Sequence, residues 1–89
     1  MARYMITSPH TKEECLRALD EELVKGRDIL GKFDYGCKEG DHTGYAIVDV
    51  NSRNDALNLV PTFLQSKARI VEVGKVTPEM IKSFHTKAA

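Results

Sequence analysis

The sequence predicts an α+β fold of order β-α-β-β-α-β, an antiparallel sheet with strand order 4-1-3-2, followed by a C-terminal helix. Three observations carry this. Apolar residues alternate with polar ones in Lys32–Cys37 and Gly44–Val50, the period of two of half-buried strands. Capping patterns at Thr11–Glu14, Ser52–Asp55 and Thr77-Pro78 open three segments with helical spacing. Right-handed crossovers then place both internal helices on one face of the sheet.

The elements follow in chain order. Arg3–Thr7 is β-prone and stops at Ser8-Pro9, where proline removes a donor. In Thr11-Lys12-Glu13-Glu14 the Thr11 hydroxyl caps the Glu14 amide, and the Glu14 carboxylate reaches back. Leu16, Leu19, Leu23 and Val24 make the apolar side of the first helix, which ends near Gly26. In Lys32–Cys37, Phe33, Tyr35 and Cys37 share a face. Lys38–Asp41 is a turn in which Gly40 supplies a positive φ, and Gly44–Val50 completes a hairpin.

Ser52 caps a second helix whose apolar face is Ala56, Leu57, Val60 and Leu64, interrupted at Pro61. Arg69–Val76 is the fourth strand. Thr77 and Pro78 open the last helix, with Met80, Ile81 and Phe84 as its stripe.

The 89 residues form one domain spanning 1–89, without repeats or linkers. Thirteen basic residues balance thirteen acidic ones, so no net field favours nucleic acid or anionic lipid. Neither nucleic acid nor membrane is an expected partner. Two cysteines are too few for a disulfide framework, and with no apolar leader the expected compartment is the reduced cytoplasm. Tyr45 and Ile47 point opposite to Ala46 and Val48, so both sheet faces are apolar while the helices cover only one. A homodimer through the open face is expected.

Two families share this pattern. Gly40-Asp41-His42, Gly44–Val50 and Val60-Pro61-Thr62-Phe63 resemble the dimeric α+β barrel superfamily, whose protomers are ferredoxin-like, and within it the muconolactone isomerase-like small domains. The resemblance implies a homodimer that binds, isomerises or oxidises a small organic molecule without a cofactor. Gly44-Tyr45-Ala46-Ile47-Val48-Asp49-Val50 also looks like strand three of the RNA-recognition motif, with Thr43 in place of its basic residue and Ile47 in place of a stacking aromatic. A module that only binds a ligand or assembles is the non-enzymatic alternative.

The topology gathers His10, Cys37, Asp41, His42 and Arg69 at one end of the sheet. His42 is the expected proton-transfer group, because an imidazole titrates near neutrality. Tyr45 or Tyr35 would orient the substrate, and Arg69 with Lys67 would anchor a carboxylate. The expected catalytic pair is His42 and Tyr45, with His10, Tyr35, Cys37, Asp41 and Arg69 as ligand-binding residues. His10, Cys37, His42 and Asp41 offer mixed metal donors but no paired ligand spacing, so no metal and no cofactor is expected. Cys15 is expected only to pack within the first helix.

Overall fold

A computed structural model describes residues 1–88, with side chains to Thr86. The element order is β1 (Ala2–Pro9), α1 (Cys15–Lys25), α2 (Arg27–Leu30), β2 (Asp34–Tyr35), β3 (Thr43–Val50), α3 (Arg53–Leu57), β4 (Arg69–Glu72) and α4 (Pro78–Ala88). Two 3-10 turns, Cys37–Glu39 and Thr62–Lys67, complete it. The four strands form one antiparallel sheet in the order β2-β3-β1-β4, which counted from the β4 edge is 4, 1, 3, 2. Among the described residues no helix is long and apolar enough to cross a membrane.

The β1–β3 ladder is the spine, with eight residue pairs from Ala2↔Val50 to Pro9↔Thr43. Its alternation sorts the side chains. Tyr4, Ile6, Ala46 and Val48 face inward and are buried with Ala18 of α1, Ala56 of α3, Phe33, Val60 and Leu64. Fully burying an aliphatic side chain contributes about 1.5–3 kcal/mol. Ile6, Val60 and Leu64, none of them accessible to solvent, therefore anchor the core.

Three expected elements differ. The strand expected over Lys32–Cys37 is only Asp34–Tyr35. The Lys32 and Phe33 amides still bond back to Ile29 and Leu30, and Cys37 already begins a 3-10 turn. The alternation nevertheless holds, since Phe33 is buried and Tyr35 half-buried, with their rings stacked at 25°. The fourth strand stops at Glu72 rather than Val76: the Val73 amide makes one more bond, to the Arg3 carbonyl, and Gly74–Thr77 runs on exposed. The second helix divides into α3 and the Thr62–Lys67 turn, with Pro61 between them.

The first helix is rotated from its expected face. Leu16, Leu23 and Val24 are exposed, while Ala18 and Glu22 are buried and Cys15 is half-buried. Polar anchors set this orientation. The Thr62 amide and hydroxyl both donate to the Glu21 carboxylate at 2.9 Å, and the Arg17 guanidinium lies 4.0 Å from the Phe63 ring centre. Lys67 Nζ meets Glu14 Oε1 at 3.1 Å, so Lys67 braces the start of α1 rather than joining Arg69.

The outer sheet face carries Ile47, Met5 and Val71 as one cross-strand row, with 64%, 38% and 38% of their surfaces exposed. The α4 side chains are exposed through Thr86, including Met80, Ile81 and Phe84. The radius of gyration is 16.0 Å, against about 12 Å for a compact chain of this length.

Candidate metal centre

Two loops meet at one end of the β1–β3 ladder. The first leaves β1 after Pro9, places His10, turns through Thr11–Glu14 and enters α1 at Cys15. The capping box closes this turn: Glu14 Oε1 accepts from the Thr11 amide at 2.9 Å, and the Thr11 hydroxyl accepts from the Glu14 amide at 3.2 Å. The bond from the Thr11 amide lowers the Glu14 carboxylate pKa, helped by Lys67.

The second loop runs from Cys37, at the start of its 3-10 turn, to His42, just before β3. Gly36 and Gly40 shape it. The Gly36 carbonyl accepts from the Asp41 amide at 3.1 Å, and a Cβ on Gly36 would lie 2.8 Å from the Asp41 carbonyl oxygen. Gly40 has φ +79°, the left-handed conformation that L side chains rarely adopt. The His10 amide then donates to the His42 carbonyl at 2.9 Å and joins the two loops.

This arrangement brings together His10, Cys15, Cys37 and His42. Each offers one ligand atom, and the four atoms lie within 4.8 Å of one another. The two Sγ atoms are 3.3 Å apart, and the imidazole centres are 6.0 Å apart. His10 is buried and the other three are half-buried. His10 Nε2 and His42 Nδ1 are buried without hydrogen-bond partners. Native interiors rarely leave such atoms unsatisfied, and an ion is one common reason when they do.

Burial pushes the His10 pKa down, opposed by a hydrogen bond to the Ser8 backbone. In the neutral form favoured by burial, the unpartnered Nε2 is free to present a lone pair. Burial and the neighbouring Cys37 raise the Cys15 thiol, so a cation must displace its proton.

The remaining candidate residues contribute no atom to this cluster. Tyr45 is on the outer face, where its hydroxyl donates to Asp41 Oδ2 at 2.5 Å; Thr43 Oγ1 donates to Asp41 Oδ1 at 2.7 Å. These two bonds hold the Asp41 carboxyl low. Asp41 is thus committed to the hydroxyls of Thr43 and Tyr45. Tyr35 packs against Phe33 on the inner side, and burial raises its phenol strongly.

Arg69 pairs with Thr7 near the same end of the ladder but on the edge strand, away from the four ligands. It lines a groove of about 540 Å³ with Arg53, Asn54, Leu57, Gln65 and Ile70.

Cys15 is the member of this cluster that sequence reasoning assigned only to packing within the first helix. A signal was present: His10 and Cys15 are separated by four residues, as are Cys37 and His42. The pattern is His-x4-Cys followed by Cys-x4-His. It is not a familiar zinc spacing, and one half of it crosses a strand–helix junction. The chain matches no family model, and no curated protein or solved structure matches it either.

Proposed function

We propose that this chain is a metal-binding domain that holds one borderline-soft divalent cation, best represented by Zn²⁺, on His10, Cys15, Cys37 and His42. The observation that carries this reading is the convergence of one donor atom from each of two cysteines and two histidines within 4.8 Å, on histidines that each keep a buried ring nitrogen without a hydrogen-bond partner. Tetrahedral zinc has Zn–S of about 2.3 Å and Zn–N of about 2.0 Å, which separates its donors by roughly 3.3–3.8 Å. The four atoms reach this by contracting about 1 Å at their widest. Two thiolates and two neutral imidazoles neutralise a divalent charge, and they leave no open position for substrate, as in a structural site.

The test is titration of reduced, metal-free protein with Zn²⁺, and with Co²⁺ as a coloured probe. One equivalent per chain, with the visible bands of a tetrahedral S2N2 cobalt centre, supports the proposal. So does loss of that site in Cys15→Ser and His10→Ala. Folded wild-type protein that fails to compete with a weak chelator overturns it.

A ferredoxin-like protomer that dimerises through its outer sheet face is the assembly we favour. Its support is the exposed row Ile47–Met5–Val71 together with the exposed stripe of α4. Sedimentation of wild type against Ile47→Asp tests it.

A second reading concerns Arg69. Arg53, Arg69, Asn54 and Gln65 line the edge groove over an apolar floor, without an acidic side chain among the lining residues. That composition suits a small organic carboxylate. Isomerisation or oxidation by His42 with Tyr45 draws less support, because the Tyr45 hydroxyl is tied to Asp41 on the outer face.

A further inference from the structure

The two sulfurs of the ligand cluster stand 3.3 Å apart, on cysteines that are both free and both half-buried. A disulfide needs about 2.05 Å between sulfurs. Two thiolates on a tetrahedral zinc are separated by roughly 3.8 Å. The observed spacing lies between these two states. The cysteines sit at the starts of two different elements, α1 and the Cys37–Glu39 turn, so a side-chain movement of about 1 Å reaches either one. The backbone between the loops is already joined by the His10–His42 bond.

We propose that Cys15 and Cys37 form a reversible intramolecular disulfide, giving the site a second, oxidised state that excludes the cation. The oxidant class is a hydroperoxide. One thiolate attacks the terminal peroxide oxygen; the O–O bond breaks, and an alcohol (or water) leaves after taking up a proton. The sulfenic acid so formed is attacked at sulfur by the second thiolate. The S–S bond forms, the S–O bond breaks, and the leaving hydroxide is protonated to water. Two thiols thus lose two electrons and two protons, and the peroxide gains them.

Half of the donor set disappears in this step, and His10 with His42 alone cannot retain a zinc ion. A dithiol reverses the reaction and restores the ligands. The disulfide stands on the sulfur geometry alone, whereas cation release rests on the metal reading above.

The experiment treats reduced, metal-free chain with one equivalent of hydrogen peroxide, then with an alkylating agent, and reads the mass. The expected product is a monomer that has lost two hydrogens and takes up no alkyl group, with Cys15 and Cys37 in one linked peptide. Dithiothreitol should return two alkylatable thiols. In parallel, Zn²⁺-loaded chain with a chromophoric chelator should release one zinc per disulfide formed.

Retention of two alkylatable thiols, oxidation to sulfinic acid, or crosslinked dimers would overturn the proposal. In Cys15→Ser and Cys37→Ser the linked peptide must vanish, and a mass loss of two hydrogens persisting in either one also overturns it. A chain that binds no zinc yet forms the Cys15–Cys37 disulfide refutes only the metal reading. A chain that binds zinc but forms no disulfide refutes only this one.

Discussion

The inner and outer faces of the β1–β3 ladder are built from the same two strands, and each departs from the rule for its environment at one place. The inner face is apolar through Tyr4, Ile6, Ala46 and Val48, then turns polar where Ser8 and His10 are buried. The outer face is exposed, yet keeps Met5, Ile47 and Val71 at its centre. Buried polar groups require partners, and exposed apolar rows gain by acquiring them. The two departures therefore differ in kind. The inner one adjoins a compact cluster of four side chains, on the scale of a single ion, while the outer one is a broad apolar row, on the scale of a macromolecular contact.

The largest expected difference between the faces is in folding energy. Leu64→Ala should lower stability by about 2–5 kcal/mol through a core cavity, whereas Ile47→Ser should leave the stability of a single chain within about 0.5 kcal/mol. Urea denaturation of both variants at low protein concentration makes the comparison. Equal losses would mean that the outer row is packed in solution.

Zinc should sharpen the contrast at the polar end. At a free concentration one hundred times the dissociation constant, wild type should gain about 2.7 kcal/mol. Cys37→Ser should gain far less, and Tyr45→Phe should gain as much as wild type. Thermal melts with and without Zn²⁺ read this, and a large loss of response in Tyr45→Phe would tie the outer face to the ligand cluster.

Glu22 gives the next effect. It is almost wholly buried on α1, neither carboxylate oxygen has a hydrogen-bond partner, and Lys25 Nζ stands 3.8 Å away while donating to the Asn58 and Val60 carbonyls. Burial is the main cause that pushes its pKa up to about 7. Because the folded pKa lies above the unfolded one, stability is fully present below about pH 4.5. It declines as pH rises through 7 and is lowest above that, by about 3 kcal/mol. Glu22→Gln should therefore raise stability by about 2–3 kcal/mol at pH 8 and change it little at pH 4. Equal shifts at both pH values would count against the buried carboxylate.

The smallest effect should come from Tyr45→Phe. It removes one exposed hydrogen bond to Asp41 and should lower stability by about 1 kcal/mol or less.

Much of the fold was legible because its signals are local. The caps at Ser52–Asp55 and Thr77–Met80 form, the reciprocal Thr11–Glu14 bonds close the turn just before α1, and the alternation in β3 gives the faces of Tyr45, Ala46, Ile47 and Val48 correctly. The rotation of α1 was not legible. Its leucines follow the helical rule, but Glu21 and Arg17 find partners at Thr62 and Phe63, 41 and 46 positions further along the chain, and these turn the leucines outward. The same rotation turns Cys15 inward. Of the four clustered side chains, His10, Cys37 and His42 were recognisable as reactive residues near one sheet end. Their convergence with Cys15 was not, because Cys15 belongs to an element whose orientation depends on distant contacts.

The single backbone bond from His10 to His42 has a thermodynamic consequence. Small zinc domains often spend most of their metal affinity on ordering an otherwise unfolded chain. Here the two loops are ordered by the capping box, by Gly36 and Gly40, and by this clasp, none of which involves a donor atom of the cluster. On the metal reading proposed above, exchange of the cation would be uncoupled from folding, and little of the affinity of the four donors would be spent on ordering the loops.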